Sequence, residues 1–398
     1  MRYKLMILVF LVFQSVACLA DEGMWLPQLL QALNEKQMKK LGMKINASDI
    51  YSISKSSLKD AIVSFGGFCT AEVISDKGLL LTNHHCGFDA IQNHSSVEKN
   101  YIQNGFWAYD FKQELPNAGL TATFIVRIDE VTDQILKEVT VGMDEKSRQA
   151  QIDKNLAALK KSAARESYQD VLIRSFFDGN KYFLFVTETY KDVRLVGAPP
   201  SSIGNYGKDS DNWMWPRHTG DFSLFRIYAD KNNRPAAYSP DNVPYQPKRS
   251  LTISIKGLKA GDFTMVFGFP GRTNEYLSSA AVAQIMEQSD PVKIGIRAKA
   301  LELLNGYMRK DEAIRIQYAA KYAGIENAYK KWQGEVLGLN RSNALQRKRD
   351  YEASFLQRVN ANVNWKETYG NLLVDLEKQY AGIKRYALAR DVYSEVMP

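Results

Sequence analysis

The chain has 398 residues, of which 45% are hydrophobic and 24% charged, and a formal net charge of +8. That is ordinary globular material, long enough for two or more cores, and it excludes a disordered or low-complexity chain. The positive charge is mild for the length and no basic run with interleaved aromatics occurs, so nucleic acid is not an expected partner.

Residues 1–20 read as a secretory leader. Arg2 and Lys4 precede an apolar run from Leu5 to Phe13, and small residues end at Ala20. The run is too short to span a bilayer, and no later apolar stretch is long enough to do so. A chain secreted across the inner membrane is therefore expected, periplasmic or at the cell surface. Cys18 would leave with the leader. A lipid anchor on it is the weaker reading, because Ser15 stands where a lipoprotein leader usually has leucine. Cys69 and Cys86 then remain in an oxidising compartment, where a structural bridge is expected.

After the leader, Gln28 to Leu33 has a helical pattern that Met38 and Leu41 continue. Cys69 to Ile74 reads as a strand, Ser75 to Gly78 as a turn, and Leu79 to Thr82 as the returning strand that runs into Asn83-His84-His85-Cys86-Gly87. This hairpin brings Cys69 close to Cys86. Thr121 to Ile128 is a further strand. From Met143 to about Ser175 the period changes, with Ile152, Leu156, Leu159, Ala163 and Tyr168 on one face of an exposed helical excursion. Strands return at Tyr182 to Thr187, Val193 to Val196, Asp221 to Tyr228 and Phe263 to Gly271. From about Leu277 the chain is dense in Lys, Arg, Glu and Ala, and between Pro291 and the last residue it has no proline, so several helices are expected. Tyr307, Tyr318, Tyr322 and Tyr329 recur at helical spacing and read as a packed face rather than a ligand groove. The layout is thus residues 21–276, rich in strands with an excursion near 143–175, followed by helical residues 277–398.

A histidine that follows a strand and adjoins a disulfide-pinned cysteine is placed like the general base of trypsin-like serine peptidases. Such a base needs a carboxylate behind it to fix its tautomer. Asp221, after Thr219-Gly220 at the opening of a strand, is the best placed; a plain turn cap is its bland reading, and Asp89, Asp209 and Asp211 are rivals. His85 is chosen over His84 because it adjoins the cysteine, and alternation along the strand would turn His84 to the other side. A metal site built from His84, His85, His94 and Asp89 is disfavoured, since the set lacks a ligand spacing. The glycine-rich Gly-x-Ser-Gly turn that would supply a nucleophile and an oxyanion hole is not found from Asp21 onward. Phe267 to Gly271 reads as the first strand of an uncompleted second barrel, and Asp391 to Pro398 ends with helical character. The expectation is a truncated sequence.

Asp21-Glu22-Gly23-Met24-Trp25, Thr82-Asn83-His84-His85-Cys86-Gly87, Asn212-Trp213-Met214-Trp215-Pro216-Arg217-His218-Thr219-Gly220-Asp221-Phe222 and Gly268-Phe269-Pro270-Gly271-Arg272-Thr273-Asn274 resemble the bacterial dipeptidyl-peptidases of the 7 and 11 type, serine peptidase family S46. The fold this resemblance implies is mixed α and β. It is a trypsin-like double β-barrel, here with an incomplete second barrel, and an inserted α-helical domain, here partial. The resemblance further implies that His85 is the general base, that Asp221 is its carboxylate, and that Asn212, Trp213 and Asn327 hold the substrate's free N-terminus. Neither a cofactor nor a metal is implied. The implied partners are peptides with a free N-terminus, with a homodimer left open. The nucleophilic serine, the rest of the second barrel, a further acidic residue for the ammonium and the residue that selects the substrate side chain belong to a C-terminal part not found here. A non-catalytic protein that binds peptide N-termini is the alternative.

Overall fold

The computed structural model describes residues 24–213, 218–271, 274 and 276–397. The expected leader and the middle of the Asn212 to Phe222 motif, residues 214–217, lie outside the described residues. The chain divides into two compact units.

One unit comprises the described residues up to Ser57 together with Lys256–Met265. The helical pattern expected from Gln28 is present as short pieces, Pro27–Leu29, Leu30–Leu33 and Glu35–Lys40. It breaks at Asn34, which ends one piece and begins the next. Leu30 and Met38 are the buried positions of that pattern.

The other unit, Leu58–Ile255 with Val266–Pro398, holds an antiparallel sheet and most of the helices. Its strands are β1 Ile62–Phe65, β2 Cys69–Val73, β3 Leu79–Thr82, β4 Phe106–Trp107, β5 Leu115–Pro116, β6 Ala122–Glu130, β7 Gln169–Phe176, β8 Lys181–Tyr190, β9 Asp192–Ala198, β10 Ser223–Ala229 and β11 Val243–Pro244. They pair in the order β4-β9-β10-β3-β2-β1-β6-β8-β7, with β11 on β10 and β5 on β9. Only Lys191 separates β8 from β9, although these strands lie toward opposite flanks of that order. One residue spans about 3.5 Å of extended chain, so the sheet has to roll until its flanks meet. The rolled sheet encloses one core, to which Phe65, Val73, Leu80, Phe124, Tyr190, Leu195, Phe225 and Ile227 contribute. β10 is further tied to the β5 region through buried Glu114, which accepts from Arg226 Nε and from the Tyr228 hydroxyl, each at 2.8 Å. Burial, reinforced by this carboxylate, raises the Tyr228 phenol above its ordinary value and keeps it a donor.

The helical excursion is helix Glu145–Ser162, capped by Asp144. Ile152 is buried, and Leu156, Leu159 and Ala163 pack with it against a second cluster on the β7 and β8 side. The expected span of 143–175 is too long. Strand β7 begins at Gln169, where buried Val171 and half-buried Ile173 alternate with exposed Asp170, Leu172 and Arg174, and the strand pairs along β8. Phe263 to Gly271 departs from expectation more sharply, since none of the described residues there is in a strand. Strand residues need a neighbouring backbone to complete their hydrogen bonds. The Phe269 N–H instead donates to Thr70 Oγ1 at 2.8 Å, and Val266 is exposed.

From Ser279 onward the chain is helical, as expected: Ser279–Gln284, a π-turn at Ile285–Ser289, then Asp290–Met308, Glu312–Arg341, Ala344–Asn360, Val363–Tyr369 and Leu372–Val396. The tyrosine series does not form one stripe. Tyr307 ends one helix and is exposed, whereas Tyr318, Tyr322 and Tyr329 lie half-buried on the next.

Candidate active site

β3 and β10 are antiparallel, with Ser223 opposite Thr82, and β9 runs antiparallel to β10. The end of β3, the start of β10 and the end of β9 therefore share one edge of the sheet. His85 follows β3 by three residues, Asp221 precedes β10 by two, and Asn212 and Trp213 lie on the connection from β9 to β10.

Directly after β3 the chain turns into a helix, His84–Asn93, with Asn83 as its N-cap. This corrects the expectation that His84 and His85 continue a strand. The two histidines still diverge, because adjacent helical positions are separated by about 100°. His84 turns inward and is buried, with its ring 5.6 Å from that of Phe88. A Cβ on Gly204 would strike the His84 ring. His85 turns outward, with 59% of its side chain exposed. The helix lies close on β10 because Gly87 has no side chain; a Cβ there would stand 2.6 Å from Ser223 Oγ and 2.9 Å from the Phe225 ring.

His85 Nδ1 lies 3.0 Å from Asp221 Oδ2, and the His85 backbone N–H donates to Asp221 Oδ1 at 3.2 Å. One residue thus engages both carboxylate oxygens. The Asp221 side chain is only 14% exposed, so its charge is largely removed from water and directed at these donors. With Nδ1 held by a carboxylate, the imidazole is fixed in the tautomer that leaves Nε2 as the acceptor, which a general base needs. Asp89 is exposed one helical turn beyond His85 and is not the bonded carboxylate. Asp209 and Asp211 lie on helix Lys208–Trp213 with side chains outside the described ones.

Cys69 and Cys86 form the expected disulfide, with Cα atoms 6.1 Å apart. It ties the start of β2 to the residue after His85. Thiol titration of denatured, unreduced residues 21–398 is expected to find no free thiol, and two reactive thiols would remove the bridge. By loop closure such a bond stabilises the fold by roughly 3 kcal/mol. Cys69, His85 and Cys86 are also the one group among the described residues with the mutual spacing of metal ligands. Both sulfurs are bonded to each other, so no thiolate is left to bind an ion. His94 is engaged elsewhere, with Nε2 at 3.1 Å from Asn117 Oδ1.

Asn212, Trp213 and Asn327 are brought together. Asn327, on helix Glu312–Arg341, accepts at Oδ1 from the Trp213 indole N–H at 2.7 Å and from Asn212 Nδ2 at 3.4 Å. The Asn212 Oδ1 takes no part in that bond, and all three side chains reach the surface. An amide oxygen is a suitable acceptor for an ammonium group, and an indole face attracts a cation as well.

The sequence model of peptidase family S46 matches residues 20–398. The chain belongs to that family. It is 56% identical over 397 residues to the Asp/Glu-specific dipeptidyl-peptidase of Flavobacterium psychrophilum, covering 100% of this chain and 55% of that protein. It is 44% identical to dipeptidyl-peptidase 7 of Capnocytophaga gingivalis, over 94% of this chain and 52% of that one. Among solved structures, DPP11 of Porphyromonas endodontalis in complex with the dipeptide Arg-Asp superposes with a TM-score of 0.86 at 39% identity, covering 94% of this chain and 54% of that one. The chain spans about half the length of the curated relatives it matches.

Two residues beside the His85–Asp221 pair are not legible as such from the sequence reading above. Asn83 donates from Nδ2 to Asp221 Oδ2 at 3.2 Å, and Ser223 Oγ donates to the Asn83 carbonyl at 2.8 Å. The signal for Asn83 was present: asparagine is a preferred N-cap, and Cys86, Gly87, Ala90 and Ile91 behind it recur at helical spacing on the buried side.

Proposed function

We propose that this chain is the part of a secreted serine-type dipeptidyl-peptidase that carries the general base, its carboxylate and the clamp for the substrate's N-terminus. The observation that supports it most is the engagement of both Asp221 oxygens by His85. In the reaction His85 Nε2 takes the proton of a serine hydroxyl as that oxygen attacks the scissile carbonyl, then returns it to the leaving amine. Asp221 stabilises the imidazolium formed between these steps. Asn212, Trp213 and Asn327 receive the free N-terminus of the peptide, so its ammonium sits at a fixed distance from the nucleophile and dipeptides are released. The fold completing this site is a double barrel of the trypsin kind, with residues 277–398 belonging to a helical cap. Its place of action is the periplasm or the cell surface. Among the described residues no helix is long and apolar enough to cross a membrane.

The serine and the oxyanion hole belong to a C-terminal part of the enzyme beyond these residues. An activated-serine probe such as a fluorophosphonate is expected to label the enzyme that includes that part, and to leave the 398-residue chain unlabelled. Stoichiometric labelling of a serine within the 398 residues would overturn this division. Failure of the longer protein to label would favour the non-catalytic peptide-binding reading. The higher identity to relatives named Asp/Glu-specific than to those named dipeptidyl-peptidase 7 favours acidic side chains at the cleavage site. Paired dipeptidyl substrates ending in Asp or in Leu test that preference.

A further inference from the structure

At the N-terminus of helix His84–Asn93 two side chains have exchanged their ordinary partners. Asn83 is the N-cap, with extended backbone at φ −68° and ψ 152°, yet its side chain makes no capping bond. An asparagine there normally accepts an N–H of the first helical turn. The N–H of His85, in that turn, instead goes to Asp221 Oδ1. Asn83 turns outward from its own helix and donates from Nδ2 to Asp221, at 3.2 Å to Oδ2 and 3.4 Å to the backbone carbonyl. The carboxylate caps the helix, and the residue placed to cap the helix holds the carboxylate.

We propose that Asn83 is a positioning residue that fixes the rotamer and charge distribution of Asp221, and through it the orientation of the His85 imidazole. This rests on the peptidase reading of His85 and Asp221. Oδ2 is shared between the imidazole Nδ1 at 3.0 Å and the Asn83 amide. The amide stays a donor throughout a catalytic cycle, whereas the strength of the imidazole bond changes as the ring gains and loses its proton. Asn83 therefore keeps the carboxylate plane in register while the ring is neutral. It also draws off part of the charge on the oxygen that faces the ring. Asn83 is itself anchored, because the wholly buried Ser223 donates to its carbonyl from the first residue of β10. The same strand that follows Asp221 thus holds the residue that positions it.

A helix cap and a carboxylate holder respond differently to substitution, and this separates the proposal from a structural role. Serine is as good an N-cap as asparagine but is too short to reach Asp221. In the active enzyme, Asn83→Ala and Asn83→Ser are both expected to lower kcat by about tenfold or more, with KM within about twofold, as for loss of a hydrogen bond to a charged group. Wild-type kcat in Asn83→Ser would show that the Asn83 amide is not needed to position Asp221 and would overturn the proposal. A second readout needs no nucleophile. In this chain, the proton resonance of His85 Nδ1 is expected to be displaced or lost to exchange in both variants, and an unchanged resonance in both would likewise overturn the proposal. Full activity in His85→Ala would instead defeat the peptidase reading, and the resonance would still report whether Asn83 sets the His85–Asp221 contact.

Discussion

Replacing His85 or Asp221 by alanine is expected to lower turnover of the peptidase by about 10⁴-fold or more, with the double loss costing little more than His85→Ala alone. The non-additivity follows from the geometry. Asp221 without the imidazole has nothing to stabilise, and His85 without Asp221 loses both the bond at Nδ1 and the partner of its backbone N–H. His84→Ala has a different signature. His84 is buried against Phe88 and Gly204, so its loss opens a cavity and lowers the thermal midpoint while the remaining folded enzyme turns over near the wild-type rate. Steady-state kinetics with a melting curve for each variant distinguishes the two. A larger fall in kcat for His84→Ala than for His85→Ala would reverse the assignment of the base.

Acetylating the substrate's N-terminus should have the next largest effect. On the proposed reading, Asn212, Trp213 and Asn327 offer acceptors to a charged amine, and acetylation removes the charge and leaves those acceptors facing a group that cannot satisfy them. The loss is about 2 to 5 kcal/mol for a desolvated charged contact, or roughly 30- to 5,000-fold in kcat/KM. Asn212→Ala is expected to weaken free-amine substrates and to change blocked ones little. Asn327→Ala is expected to act through Trp213 as well, because Asn327 Oδ1 holds the indole N–H at 2.7 Å. Equal cleavage of free and acetylated peptides would leave an endopeptidase in place of a dipeptidyl-peptidase.

The parts of this fold that local chemistry decides were readable before any coordinates. The hairpin of β2 and β3 has an alternating strand before a Ser-Asp-Lys-Gly turn and an apolar run after it, and the hairpin brings Cys69 to Cys86. Helix Glu145–Ser162 shows its buried face as Ile152, Leu156 and Leu159. Errors arose where pairing rather than pattern decides. Val171 and Ile173 fit the tail of a helical face as well as a strand, and only the long ladder with β8 settles the matter. Phe263 to Gly271 has the side chains of a strand, but propensity supplies no neighbour. The pairing of His85 with Asp221 is legible from their places at strand ends and from resemblance, whereas the contact of Asn83 with Asp221 is hidden because the helix that Asn83 begins looks in sequence like a continuation of β3.

Asp221 lies 136 residues beyond His85, and β6, β7, β8 and β9 are all formed by the chain between them. No local segment can therefore hold the base and its carboxylate together. Their meeting depends on β10 docking beside β3 in one register, with Ser223 across from Thr82. A slip of one residue would carry Asp221 about 3.4 Å along the sheet edge and out of reach of the ring. In folding, the Cys69–Cys86 bridge needs only a short loop and is available early, while the His85–Asp221 contact waits on one of the most distant strand pairings among the described residues. The nascent protein thus remains without the His85–Asp221 contact until the sheet around it is nearly complete.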